Sequence, residues 1–304
     1  MRELNQYFRV SFALMIILIL VPPLSAQQNK LKIYISVDME GIGGVVTDHQ
    51  LGPDGFEYQR FREFMTAEAM TAVTAAKEAG ATEILVSDSH GNMENLLIEK
   101  FPTDVRIIRG RPRQLGMMAG IDSTFDAVLF IGYHASTNNP HGVRAHTFSS
   151  ATLTRIAING KEMTEGSWNA AIAGHFGVPV VMISGDNAAV AEVRAQIGQI
   201  EGAVVKNNLG FHSANTLTPQ AAQQLITDKV KVSLGRLQEF KPFKVASPLT
   251  LDITFKHYQP AQVLAYLPGV ERLDAHSIRY HPKDMIEASN FLLVVTSYNP
   301  ALEP

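Results

Sequence analysis

The sequence predicts an α/β protein: a largely parallel sheet flanked by helices, with a smaller C-terminal α+β unit. Three observations carry this reading. Short apolar runs rich in β-branched residues recur along the first two-thirds of the chain. Helical periodicity fills the intervals between them. Strand, helix and strand in that order make a βαβ unit, whose natural home is a parallel sheet.

The elements follow in order. Lys32 to Val37 is the first strand, and Glu83 to Ser87 (EILVS), Ala127 to Ile131 (AVLFI) and Val178 to Ser184 (VPVVMIS) are further buried strands. Glu57 to Ala79 is rich in Ala, Glu, Met and Phe at helical spacing and closes on Gly80 as a C-terminal cap. Met163 to Phe176, ended by Gly177, is a second helix leading into the Val178 strand. Pro219 to Gln238 is helical and runs into EFKPFK, which reads as a linker. Beyond it lie a strand at 249–255, a helix at 261–266 after Pro260, a strand at 277–280 and a helix at 283–298. The expected organisation is a metal-binding catalytic α/β domain over 31–238 and a smaller α+β domain over 244–304, the latter without a chemical cluster of its own.

Residues 1–26 are of another kind. Arg2 and Arg9 flank the start, an apolar stretch spans Val10 to Val21, and PPLSA ends in small residues, which is the pattern of a secretory signal peptide. The stretch is shorter than the roughly 20 residues of a spanning helix, so no stable membrane insertion is expected after cleavage, an uncleaved anchor being the alternative. Export, periplasmic or secreted, is the expectation. The 304 residues contain no cysteine, which removes disulfides and lipid attachment through a processed Cys, and leaves His, Asp and Glu as metal ligands. A formal net charge of -3 with no basic run argues against nucleic acid as a partner.

The four strands share polar C-terminal ends: Asp38 and Glu40 after the first, Asp88, Ser89 and His90 after the second, Tyr133 and His134 after the third, Gly185 and Asp186 after the fourth. Ligands of open parallel sheets bind outside the carboxyl ends of strands, where the loops converge. Imidazole and carboxylate without thiolate suit Zn, Mn or Co, and two ions sharing a carboxylate would stabilise an attacking water and a developing oxyanion. Gly41, Gly43 and Gly44 let the chain leave strand geometry after Asp38.

Taken singly, each residue has an ordinary structural reading. Asp38 suits a turn cap, Glu40 a solvated loop charge, His90 an Asx turn, His134 and His146 loop positions, and Glu165 a helix N-terminus. Asp88 suits orienting a ligand histidine as well as binding. The basic loop Arg109 to Gln114 reads as solvated surface, with anion binding the lesser alternative. No phosphate-binding loop, G-x-S-x-G elbow or nucleophilic cysteine occurs.

In combination, SVDMEG, SDSHG, GYHA, AHTFS and MTEGSWNAA, with GVPVVMISGD and the C-terminal LPGVERLD, resemble the DppA-type binuclear zinc D-aminopeptidase family in order and spacing over nearly all of the mature chain. The resemblance implies two Zn2+ per chain held by Asp38, Glu40, His90, His134 and Glu165, with Asp38 as the bridge and His146 as the catalytic residue. It implies hydrolysis of the N-terminal residue of short peptides, D-Ala peptides foremost, and assembly into a ring-like homo-oligomer. The signal peptide departs from the cytoplasmic family members and places the chain where peptidoglycan-derived D-alanyl peptides occur. The rival expectations are an exported peptide-binding module without hydrolysis and a metal-dependent hydrolase of another amide or ester.

Overall fold

The structure, a computed structural model, describes residues 30–297; the segment read as a signal peptide lies outside them. The chain runs β1 (Leu31–Val37), α1 (Tyr58–Glu78), β2 (Ala81–Asp88), β3 (Val105–Ile108), β4 (Ala127–Tyr133), β5 (Leu153–Ile158), β6 (Lys161–Glu162), α2 (Glu165–His175) and β7 (Val180–Asp186). It continues with α3 (Asn187–Ile197), β8 (Glu201–Gly210), β9 (Ser213–Thr216), α4 (Pro219–Gly235), β10 (Leu251–Phe255), α5 (Tyr258–Leu264), β11 (Val270–Arg272), β12 (Ser277–Tyr280) and α6 (Met285–Ser297). Among the described residues no helix is long and apolar enough to cross a membrane.

As the sequence predicts, the main sheet is largely parallel. Its seven strands stand in the order β3-β2-β1-β4-β7-β8-β9, and only β9 is antiparallel to its neighbour. The order reverses between β1 and β4: the chain moves outward from β1 through β2 to β3, then returns to the other side of β1 and continues through β7. Such a switch point opens a crevice at the carboxyl edge, because the loops leaving the two strands diverge to opposite faces.

One face of the sheet packs on α1 and α4, through Met65, Ala69, Ala72, Val73, Ile226 and Val230 against Ile33, Ile35 and Leu129. The other face meets α2, of which Glu165 to Gly174 are all buried. A helix apolar around its whole circumference must be covered on every side. The rest of its cover is a five-stranded sheet, β11-β12-β10-β5-β6, together with α6. This second sheet draws β5 and β6 from within 31–238 and β10 to β12 from within 244–304, joined by the antiparallel pairing of β5 with β10.

Three local expectations are corrected. The helix expected at 261–266 starts at Tyr258, because Pro260 lies in its first turn, where no intrahelical N–H is required. The segment read as a linker is packed: a Cβ on Gly174 would lie 1.8 Å from the Phe243 carbonyl oxygen, so α2 and this segment touch backbone to backbone. Strands β3, β5, β6, β8, β9 and β11 and helix α3 have no counterpart in the sequence reading. Several of these strands are short or half polar, as in β9 (SANT) and β6 (KE), and hydrogen-bonded neighbours rather than apolar pattern define them.

Candidate metal centre and active site

The crevice at the switch point collects the strand-end residues. Asp38 follows β1, and its N–H donates to the Ile131 carbonyl at 2.8 Å, holding the strand end against β4. Glu40 lies in the turn beyond it. There the requirement for glycine is close approach: a Cβ on Gly41 would stand 2.1 Å from the Tyr133 carbonyl oxygen. His134 immediately follows β4, His90 lies two residues past β2, and Glu165 opens α2, whose Thr164 cap accepts from the Ser167 N–H. A carboxylate at that position gains from the helix dipole. The Phe148 N–H donates to Glu165 Oε1 at 2.6 Å and fixes its rotamer.

Two triads result. In the first, His90 Nδ1 is 3.4 Å from Asp38 Oδ1 and 2.8 Å from Glu40 Oε2. In the second, His134 Nε2 is 3.4 Å from both Asp38 Oδ2 and Glu165 Oε1. Asp38 belongs to both, one oxygen to each. His146 faces the gap between them, with Nε2 3.9 Å from Glu40 Oε1 and 3.9 Å from Glu165 Oε1. Its ring stacks on His134 at a centroid distance of 4.0 Å and an interplanar angle of 8°.

The outward nitrogens of the three imidazoles are spoken for. His90 Nε2 meets the Leu51 carbonyl at 2.7 Å, His134 Nδ1 the Ala135 carbonyl at 3.0 Å and His146 Nδ1 the Arg144 carbonyl at 2.8 Å. A carbonyl accepts only, so each outward nitrogen carries the proton and the inward nitrogen offers a lone pair toward the carboxylates. Among the described residues, Asp38 Oδ2, Glu40 Oε2 and His134 Nε2 are buried without a hydrogen-bond partner, and the 2.8 Å approach of His90 to Glu40 lacks hydrogen-bond geometry. Buried polar atoms are ordinarily paired. Lone pairs converging from buried oxygen and nitrogen are what a divalent cation with N/O preference fills, so the donor set fits zinc.

Without a cation the groups offset one another with protons. Burial, then the Glu40 charge, pushes Asp38 up to about 8. Burial works against protonation of His134, but Glu165 and Asp38 outweigh it and raise its pKa to about 10; Glu40 and Asp38 raise that of His90 in the same way. Burial would raise Glu40 and Glu165, yet His90 and His134 respectively hold them low. Burial and then the adjacent His134 lower His146, which keeps that imidazole neutral.

His146 sits in a segment whose backbone is unusual. Arg144 and Phe148, two residues to either side, both occupy the left-handed region at φ 57° and 58°. Each costs roughly 1–3 kcal/mol in a non-glycine residue and persists only where the surroundings impose it.

Asp88 does not face the triads. It accepts from the Asn95 and Leu96 N–H groups at 2.5 and 2.7 Å and from Asn95 Nδ2 at 2.9 Å, while the same amide donates to the His90 carbonyl at 2.7 Å. It therefore shapes the loop that carries His90. Lys206, fully buried in β8, was not foreseen: its ammonium donates to the carbonyls of Glu40, of Ile42 at 3.1 Å and of Val45 at 2.6 Å, tying down the turn that carries Glu40. The available signal was a lysine closing an apolar run, GAVVK.

The triads floor a cavity of about 220 Å³, walled by Met117, Phe148, Trp168, Asn169, the 111–113 loop and the α6 residues Leu292, Leu293 and Thr296. The C-terminal unit, expected to carry no chemical cluster of its own, lends the site a wall through α6. One expectation is corrected here. The Arg109–Gln114 loop is not simply solvated surface, since Arg113 is half-buried and donates to Ser87 Oγ and the carbonyls of Asp88, Gly110 and Gly116.

The D-aminopeptidase family model matches residues 31–294. The chain belongs to the D-aminopeptidase family. Over 267 residues it is 35% identical to the D-aminopeptidase of Bacillus subtilis strain 168, covering 88% of this chain and 97% of that one. Its structure is similar to the solved structure of the zinc-dependent D-aminopeptidase DppA from Bacillus subtilis, described as a self-compartmentalizing protease, with a TM-score of 0.84 at 34% identity. That match covers 88% of this chain and 97% of the other. The family resemblance and the fold class expected from the sequence are thereby borne out for this D-aminopeptidase family member.

Proposed function

We propose that this protein is a zinc-dependent aminopeptidase with two metals per chain, removing the N-terminal residue, a D-residue such as D-Ala, from short peptides. The observation that carries the reading is the shared carboxylate: Asp38 turns one oxygen to His90 and the other to His134, within a group whose inward atoms lack partners. Asp38, Glu40 and His90 would hold one zinc and Asp38, His134 and Glu165 the other. Zinc, when bound there, supplies Lewis acidity toward a water and toward the peptide carbonyl.

The chain's own residues do the rest. His146 presents a neutral Nε2 to the gap between the triads, placed to take a proton from the attacking water and return it to the leaving amine. With 15% of its side chain exposed, against 8% or less for His90 and His134, it is the most exposed of the three histidines that line the cavity, which favours chemistry over ligation. Phe148, Trp168 and Leu292 exclude water from the floor, strengthening every charge interaction there. Export by the N-terminal segment would bring the enzyme to peptides released from cell-wall material. The description of DppA as self-compartmentalizing supports assembly of this chain into a closed oligomer.

The test is a paired measurement on purified mature protein: bound metal by elemental analysis, and turnover of D-Ala and L-Ala dipeptides. Two zinc ions per chain with D-selective cleavage is the expected result. Bound metal with stoichiometric peptide binding and no product would replace hydrolysis by a binding role.

A further inference from the structure

The geometry points to Arg111 as the residue that receives the C-terminal carboxylate of the peptide, making the enzyme selective for very short peptides with a free C-terminus. This rests on the proposed aminopeptidase reading and adds the substrate's far end to it. Among the described residues lining the cavity, the only arginines are Arg111 and Arg113, and no lysine lines it. Arg113 is spent: its guanidinium meets four protein oxygens at 2.6 to 3.1 Å. Arg111 is exposed and, among the described residues, makes two long contacts with neutral acceptors, Nη1 to the Gly91 carbonyl and Nη2 to Ser297 Oγ, each 3.3 Å. Most of its five donors remain available, in the planar fork that matches a carboxylate.

Its place suits this role. Gly91 directly follows His90, and Ser297 lies on α6, so the guanidinium sits between the loop carrying a triad histidine and the helix forming the far wall. The cavity's floor is rich in carboxylates and its loop side carries the arginine, an arrangement complementary to a zwitterion. About 220 Å³ is smaller than the ~300–1,000 Å³ typical of pockets for drug-sized ligands, which suits a peptide of two or three residues. Because the carboxylate is unchanged during cleavage of the first bond, its recognition acts equally on ground and transition states and appears in KM.

The experiment compares D-alanyl-D-alanine with its C-terminal amide on the zinc-loaded full chain and on Arg111→Leu and Arg111→Lys. Wild type is expected to favour the free acid by roughly ten- to a hundredfold in kcat/KM, as a charge-assisted contact allows. Arg111→Leu should raise KM for the acid, leave kcat and the amide unchanged and keep its full zinc content, with Arg111→Lys in between. A wild type indifferent to the amide, or a leucine variant that keeps the preference, overturns the assignment. If neither peptide is cleaved by wild type, the hydrolytic reading fails separately. Calorimetric affinities for the same two ligands then decide Arg111: a preference for the acid lost in Arg111→Leu upholds it, and equal affinities overturn it.

Discussion

Asp38 divides its carboxylate between two histidines, with Oδ1 3.4 Å from His90 Nδ1 and Oδ2 3.4 Å from His134 Nε2. No other residue belongs to both triads. Asp38→Ala is therefore expected to empty both metal positions together and to reduce hydrolysis by more than the ~10–100-fold that loss of an outer partner costs. Elemental analysis reads this directly: one retained zinc per chain would show that the positions are held independently.

His146 makes the opposite prediction. His146→Ala should keep full zinc and lose roughly 10²–10⁴-fold in kcat, the range for a general acid–base group. Zinc loss in this variant would move His146 into the ligand set, beside His134 and Glu165, whose nitrogen and oxygen atoms lie within 4.8 Å of its own and of each other.

Lys206 holds the carbonyls of Glu40, Ile42 and Val45. Lys206→Met should leave the Glu40 and Val45 oxygens without that donor, the Ile42 oxygen keeping the Val45 N–H, and cost on the order of 1–3 kcal/mol of stability, with zinc affinity reduced by about 10–100-fold as Glu40 loosens. Thermal unfolding with a competitive zinc chelator reports both quantities. Unchanged zinc affinity at lowered Tm would confine Lys206 to a folding role.

Removing the metal should make stability fall as pH rises. In metal-free protein Asp38, at about 8 instead of 3.8, and His134, at about 10 instead of 6.5, bind protons more tightly folded than unfolded. Each contributes stability that is complete below its ordinary value and lost as pH rises through its folded value. Glu40, Glu165 and His146 are all lowered, so they lose stability only as pH falls below 6.5. Tm of the chelated protein should accordingly decline between about pH 6.5 and pH 8, where Asp38 and His134 act together and before the lowered Lys206 opposes them, and zinc should remove the decline by displacing the protons. A chelated protein whose Tm is flat or rises over that interval would refute proton sharing in the site.

Much of the site was legible because it is encoded at strand ends. At Val37–Asp38, Asp88–His90 and Tyr133–His134 the chain passes from a buried strand to polar groups within one or two residues, a local change that sequence displays. Glu165 entered the site only through the family resemblance, since an acid opening a helix has an ordinary structural reading by itself. What stayed hidden depends on distance along the chain. Lys206 reaches a turn 161 to 166 residues away, and Arg111 meets Ser297 across 186. β5 looks like part of the first unit until β10 pairs with it.

The sequence by itself therefore determined the parallel βαβ core, the strand-end acids and imidazoles and the ligand chemistry they permit, because periodicity and residue type are local properties. The tertiary structure turns the two oxygens of Asp38 toward two histidines and sets His146 in the gap between them, relations the family resemblance had implied without geometry, and it alone decided that α6 and Arg111 line the cavity. Those relations arise where the strand order reverses between β1 and β4, and where long-range packing brings together side chains that no local pattern connects.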